Sequence, residues 1–238
     1  MMQAPFPIAI LAGGLATRLH PLTERVPKAL LDIQGEPFIA HQLRLLESAG
    51  LKTVVVCAGY LGEMIRDYVG DGSRFGLKVL YSFDGPRLLG TAGALRRARP
   101  ALGECFQVLY GDSYLPCDYL AIQEAFVRSG RPGMMTVYRN EGLYDSSNVE
   151  YSHGEIIAYD KKHRTPRMRH IDYGLGGFRA TLFDTIPDGE PYDLADVYAG
   201  LLSRRELAAY EVADRFYEIG SSAGLEEMRQ FAAVNRKG

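Results

Sequence analysis

Leu11-Ala12-Gly13-Gly14-Leu15-Ala16-Thr17-Arg18-Leu19, followed closely by Pro21-Leu22-Thr23 and then by Pro27-Lys28, is the stretch on which the fold turns. Ahead of it, Pro7-Ile8-Ala9-Ile10-Leu11 is a short apolar run that stops at the glycine pair, as a strand buried in a parallel sheet does. Two glycines at a strand end let backbone N–H groups approach a bound group with no Cβ in the way. Arg18 and Lys28 add fixed positive charge within the same loop, and together these are the parts of a polyphosphate cradle. The G-x-x-x-x-G-K-[ST] spacing of a Walker A loop cannot be fitted here, and the G-x-G-x-x-G of a Rossmann turn is absent. Taken alone, Gly13-Gly14 reads as a plain turn beside solvated side chains. The whole string favours phosphate.

Outward from this loop, the first half of the chain alternates strand and helix signals. Ala29–Ile33 leads into a Gly35-Glu36-Pro37 turn, and the spacing of Ile39, Leu43 and Leu46 predicts a helix over Phe38–Ala49, closed by Gly50. Thr53–Cys57, Leu77–Phe83 and Phe106–Tyr110 read as strands, with helices over Leu61–Val69 and Thr91–Arg99 between them. Such alternation implies βαβ units and a mainly parallel sheet covered on both faces. After Gly130 the pattern changes. Gly133–Tyr138 and Asn148–Tyr159 read as strands, the latter broken into a hairpin at His153-Gly154, before the chain passes Pro166 to Ile171–Phe178. Helices over Asp193–Leu202 and Ser221–Ala233 follow, and no repeat, low-complexity tract or linker interrupts the chain. The expectation is a single α/β domain over 1–238 with a mixed C-terminal portion.

The 238 residues carry 27 Lys and Arg against 29 Asp and Glu, a formal charge of −2, with 47% hydrophobic and 24% charged residues. That composition supplies a core and excludes disorder as the main state. Near-neutral balance argues against a general nucleic-acid binder, although Arg164, Arg167 and Arg169 cluster locally. No apolar run approaches the roughly 18–20 residues that cross a bilayer, so no membrane partner is expected. Met1–Pro7 lacks the basic start and small-residue cleavage pattern of a leader. Cys57, Cys105 and Cys117 lie in apolar stretches without metal-ligand spacing, which fits reduced thiols in the cytoplasm.

The string Leu11–Ile33 resembles the signature of the sugar-1-phosphate nucleotidyltransferases (the nucleotide-sugar pyrophosphorylases), LAGGxGTRLxPLTxxxPKxLlxi. The resemblance continues in order along the chain. Gly90-Thr91-Ala92-Gly93-Ala94-Leu95 is similar to that family's second nucleotide loop, Tyr110-Gly111-Asp112 to its metal-holding strand end, and Tyr217-Glu218-Ile219-Gly220-Ser221 to its late D-[VI]-G-T element. It implies a Rossmann-like three-layer sandwich with a mainly parallel mixed sheet, the nucleotide-diphospho-sugar transferase fold. It also implies a nucleotide-binding part over about 1–130 and a sugar-phosphate-binding part over about 131–238. Nucleotide contacts would come from Leu11, Ala12, Gly13, Gly14, Gly90, Thr91 and Gly111, with Arg18, Lys28 and Asp112 catalytic and Mg2+ on Asp112 and Glu218. Asn148, Asp160, Lys161, Asp172 and Gly174 match the positions that hold the sugar phosphate, each with a solvent-exposed reading of equal weight.

Two positions depart from the pattern. Ala16 stands where Gly is commonest, so the loop there avoids positive φ or accepts strain. Glu218 stands where an Asp is usual, which moves a metal-binding carboxylate outward by one methylene. Asp160 likewise replaces a Glu. From the residues alone, Asp112 ends an apolar strand at the carboxyl edge of the sheet, where open α/β sheets bind ligands. A carboxylate there suits Mg2+, although capping of the segment near Leu115 is the other reading. Asp118 reads as the cap of the next helix.

The reaction the resemblance implies joins a nucleoside triphosphate and a sugar 1-phosphate into a nucleotide-sugar, with release of pyrophosphate. Its nucleophile is anionic near neutral pH, which accords with a motif set of cations and acids lacking any Ser-His or Cys-His pair. Three alternatives are open: a nucleotidyltransferase for a phosphorylated alcohol such as phosphocholine, a glycosyltransferase, and a non-catalytic ligand sensor. Gly111-Asp112-Ser113-Tyr114 lacks the second acid of the Asp-x-Asp pair a glycosyltransferase normally shows. Base, sugar and oligomeric state are not legible, although dimers and tetramers are common in the family. The cleft contacts near Ala58-Gly59-Tyr60 and Asp84–Gly90 would choose the base.

Overall fold

Ile8–Ala12 (β1) lies inside a nine-stranded sheet in the computed structural model of the chain, which describes residues 4–235. Met1–Gln3 of the N-terminal stretch read above for a leader lie outside the described residues. Strands Thr53–Ala58 (β2), Lys78–Phe83 (β3) and Cys105–Tyr110 (β4) run parallel to β1, in the order β3-β2-β1-β4. Gly133–Arg139 (β5), the hairpin Val149–Ser152 (β6) with Glu155–Tyr159 (β7), His170–Arg179 (β8) and Leu207–Val212 (β9) complete the sheet. β8 lies antiparallel beside β4 and passes the sheet on to β5 and then to β9, with the hairpin attached at His170. The sheet is therefore mainly parallel and mixed, as expected.

Alternation along β1 builds the layers, because successive side chains of a strand point to opposite faces. Ile8 and Ile10 pack with helices Phe38–Ser48 (α1), Gly62–Val69 (α2) and Tyr119–Ser129 (α4). Ala9 packs with Gly90–Leu102 (α3) and Leu194–Ser203 (α5) on the other face. A third cluster sets Leu225, Met228 and Ala232 of helix Ser222–Asn235 (α6) against Leu19, Leu31 and Ile33. The last helix thus buttresses the loop that carries Arg18 and Lys28.

Several local expectations change. Ala29–Ile33 is not one extended segment: Lys28–Leu30 forms a 3-10 turn, and Asp32–Ile33 pairs antiparallel with Glu36–Pro37 around Gln34-Gly35, both at positive φ. The turn therefore falls one residue earlier than the sequence suggested. Asp118 caps α4 as expected, accepting the N–H groups of Leu120 and Ala121. Beyond that cap α4 carries no clear signal in the sequence, and β9 carries none. A short antiparallel clip between Ser113–Tyr114 and Tyr217–Glu218 was likewise unforeseen, and it matters most for the site.

Candidate active site

The carboxyl ends of β1, β2 and β4 open onto a pocket of about 250 Å³. It is lined by Leu11, Ala12, Gly13, Gly14, Lys28, Gly90, Thr91, Gly111 and Asp112, joined by Cys57, Asp84, Leu88 and Tyr110. This is the crevice beyond the strand ends where such sheets take ligands. The two glycines of the first turn do different things. A Cβ on Gly13 would press on Gly59 N at 3.2 Å and Asp84 Oδ2 at 3.3 Å, whereas one on Gly14 would meet nothing within 4 Å. Gly13 is needed for packing; Gly14 leaves its backbone bare toward open space. Ala16 adopts φ 52°, ψ 37°, so the loop accepts the left-handed conformation at the position where glycine is commonest.

Lys28 and Asp112 come together directly. Lys28 Nζ donates to Asp112 Oδ2 at 2.7 Å, with both side chains mostly buried. A Cβ on Gly220 would lie 3.3 Å from Arg18 Nη2 and 3.4 Å from Asp112 Oδ2, so one small gap separates all three groups. Arg18 has no ion pair among the described residues, which leaves its guanidinium available to an anion. Thr91 lines the pocket, but its hydroxyl bridges to the cap of α5, donating to Asp193 and accepting the Leu194 N–H. Of the segments expected to choose the base, Asp84, Leu88 and Gly90 reach the pocket wall, and Ala58–Tyr60 do not.

A second pocket, of about 330 Å³, adjoins the first across Asp112 and Tyr110. Arg18, Asn148, Lys161, Asp172, Gly174 and Glu218 line it. Asp172 is only 4% exposed, with Lys161 Nζ at 3.9 Å, the Gly174 N–H donating to Oδ1 and the Tyr159 hydroxyl donating to Oδ2. Burial pushes its carboxyl upward, opposed by Lys161. Asn148 Oδ1 accepts the Asp172 N–H at 2.9 Å, which fixes the amide plane. Asp160 is not brought in. Its carboxylate accepts the N–H groups of Lys162 and His163 and so shapes the loop that carries Lys161.

The late segment reaches this pocket through the clip. Glu218 pairs with Ser113, and the Ile219 N–H donates to the Asp112 carbonyl at 2.9 Å, which sets two carboxylates side by side. Burial, and then the charge of Asp112, push the Glu218 carboxyl up to about 7. Among the described residues no group of three or more His, Cys, Asp and Glu could hold a metal. Two carboxylates beside a phosphate pocket nonetheless suit Mg2+, which takes oxygen ligands and completes its shell with substrate phosphates and water. Sequence reading missed Tyr110 and Ser113, whose buried hydroxyls at the pocket wall have no hydrogen-bond partner among the described residues. Their one signal is adjacency, since they flank Gly111-Asp112.

The profile of the family described as nucleotidyl transferase matches residues 8–146. The chain is 29% identical to N-acetylmuramate alpha-1-phosphate uridylyltransferase of Neisseria meningitidis serogroup B, over 94% of this chain and 97% of that protein. It is 30% identical to UTP–glucose-1-phosphate uridylyltransferase of Synechocystis, over 78% of this chain, and there it spans only 52% of the relative's length. The fold resembles that of a putative glucose-1-phosphate thymidylyltransferase from Bacillus anthracis, with a TM-score of 0.83, 20% identity and coverage of 95% and 94% of the two chains.

Proposed function

This chain belongs to the nucleotidyl transferase family, and on that premise we propose that it transfers a nucleoside monophosphate from a nucleoside triphosphate to a sugar 1-phosphate. The products are a nucleotide-sugar and pyrophosphate. The carrying observation is Asp112, which stands in the wall between the two pockets and is met by Lys28 on one side and by the Glu218 segment on the other. A triphosphate in the first pocket and a sugar phosphate in the second would react across it.

In that reaction an oxygen of the sugar phosphate attacks the α-phosphorus while the bond to the β-phosphate oxygen breaks. The attacking group is an anion near neutral pH, so what remains is positioning and charge neutralisation. The Gly13-Gly14 backbone holds the departing pyrophosphate, with Arg18 reaching toward it from the second pocket, which it lines. Lys28 leaves Asp112 to bridge the phosphates. Asn148, Lys161, Asp172 and Gly174 receive the sugar phosphate, and Asp160 acts through the loop it shapes. Asp112 and Glu218 would hold Mg2+, which when bound neutralises phosphate charge. The nucleotide side is supplied by about 1–130 and the sugar side by about 131–238. No helix among the described residues is long and apolar enough to cross a membrane. The three cysteines are unpaired, in keeping with a cytoplasmic enzyme.

Pyrophosphate release over a grid of triphosphates and acceptor phosphates, phosphocholine included, tests the reading. We expect turnover only with sugar 1-phosphates. Exclusive use of phosphocholine, or no turnover at all, would sink it. Asp112→Asn, with thermal unfolding unchanged, should lose at least a hundredfold in kcat, in line with the about 2.7–4 kcal/mol seen for preorganised electrostatic groups.

A further inference from the structure

The proposed reaction leaves Arg164 and Arg169, beside the sugar-side pocket, without a role. On this lobe Lys161 is held by Asp172, Arg139 by Glu141, His163 by Asp160 and Arg167 by Glu150. Arg164 and Arg169 have no ion pair among the described residues. Arg164 lines the sugar-side pocket and also a neighbouring polar basin of about 740 Å³, whose wall includes Arg169 and Ser146. The two spaces share Asp145, Ser146 and Arg164, so they lie side by side along this margin. The basin wall also carries Glu141 and Asp145, and neither forms an ion pair with Arg164 or Arg169. Glu141 is bonded by Arg139 at 2.7 Å and is reached more weakly by the charge of Arg169. The charge of Asp145 bears on Glu218 at the inner end, and its Oδ1 accepts the neighbouring Ser146 N–H.

A sugar anchored by its 1-phosphate in a space of about 330 Å³ has a basin more than twice as large to extend into. A neutral sugar would gain little from two arginines there. A guanidinium presents a planar fork that matches a carboxylate or a phosphate with two parallel hydrogen bonds. We propose that the acceptor is an acidic sugar 1-phosphate, bearing a second anionic group away from C1, and that Arg164 and Arg169 receive this group with the Ser146 hydroxyl. The inference rests on the reaction proposed above and narrows its substrate.

The test is steady-state pyrophosphate release from the whole chain with Mg2+ and each common triphosphate, using acceptors in matched pairs. N-acetylglucosamine 1-phosphate is set against N-acetylmuramic acid 1-phosphate, and glucose 1-phosphate against glucuronic acid 1-phosphate and glucose 1,6-bisphosphate. These arms separate an ether-linked carboxylate, a ring-borne carboxylate and a phosphate. At least one acidic member should exceed its neutral partner tenfold or more in kcat/KM. Arg169→Gln, remote from the inner pocket, should erase most of that preference through KM and leave the neutral partner within twofold. Arg164→Gln should weaken the acidic substrate at least tenfold more than the neutral one. Equal or better use of the neutral sugar in every pair overturns the proposal while leaving the reaction intact. So does an equal loss for both members of a pair in the two variants. Turnover with no sugar 1-phosphate of either kind overturns the reaction itself, and this inference with it.

Discussion

The two halves of the cleft are built by different means. The nucleotide side is strand ends and glycines, rigid because backbone packs on backbone: a Cβ on Gly111 would lie 2.5 Å from Leu11 O, and one on Gly90 2.8 Å from Tyr192 O. The sugar side is side chains carried by loops and strand margins: Asn148, Lys161 and Asp172 held to one another by a hydrogen bond and an ion pair, and Glu218 clipped to Ser113. The first surface is shaped by what is absent, and the second by what is charged. A backbone cradle suits the triphosphate shared by every reaction of this type. A wall of exchangeable side chains suits the partner that differs.

That contrast can be broken by mutation. The largest effects should come from Lys28, which belongs to the backbone-built half yet bonds to the shared Asp112. Lys28→Met should lower kcat by at least a hundredfold, near the about 2.7–4 kcal/mol expected of a lost preorganised charge. Loss of affinity for the triphosphate without loss of kcat would mean that Lys28 only binds. Next come two glycines of the same half. Gly111→Ala forces backbone against backbone and should cost about 2–4 kcal/mol of stability, read as a fall in the urea midpoint. Gly14→Ala meets no protein atom, so its unfolding should stay near wild type while KM for the triphosphate rises about tenfold. If both variants were equally unstable, the distinction between packing glycine and cradle glycine would fail.

The same contrast explains what could be read from sequence. Backbone cradles need residues in succession, so Leu11–Gly14, Gly90-Thr91 and Gly111-Asp112 stand as contiguous strings, and each lies on the first pocket's wall. Thr91 shows the limit of such a reading: its place was legible, but its hydroxyl serves the cap of α5. On the sugar side the groups are single residues from separate segments. Asp160 matched by position and yet turns into its own loop, while Ser146, and Arg164 from a basic cluster with no site motif, line the wall. Glu218, expected as a carboxylate for the site, lines the second pocket. The clip that delivers it depends on only two residues per strand, too short for any periodicity to announce.

Glu218 offers a smaller effect on the side-chain-built half. Its folded carboxyl is pushed up to about 7 from an ordinary 4.5, chiefly by burial. Between those values the folded protein keeps a proton that the unfolded chain has released, so this group's contribution to stability falls as pH rises through the window. The full difference corresponds to about 3 kcal/mol at alkaline pH in the absence of divalent cations. Glu218→Gln should therefore raise the cation-free unfolding temperature at pH 8 by several degrees, have little effect at pH 5, and lower activity at both. A variant less stable than wild type at pH 8 would show that Glu218 stabilises the fold as an ion, contrary to the burial argument.

The smallest expected effect returns to the phosphate loop. Ala16 is held at φ 52° between the glycine pair and Arg18, and a non-glycine residue there costs about 1–2 kcal/mol relative to right-handed backbone. Ala16→Gly removes that cost but adds freedom to the unfolded chain worth about 0.4–1 kcal/mol. The net gain should be about 0.5–1 kcal/mol, or roughly 1–4 °C in a domain of this size. The Thr23 hydroxyl donates to the Ala16 carbonyl at 2.9 Å and the Leu19 N–H bonds to the same oxygen, so the conformation is fixed from both sides and should survive the change. Because Arg18 keeps its place, kcat should move less than twofold. A large gain in activity would instead mean that strain at Ala16 misplaces Arg18 in the natural protein, and that the backbone-built half is less rigid than its packing implies.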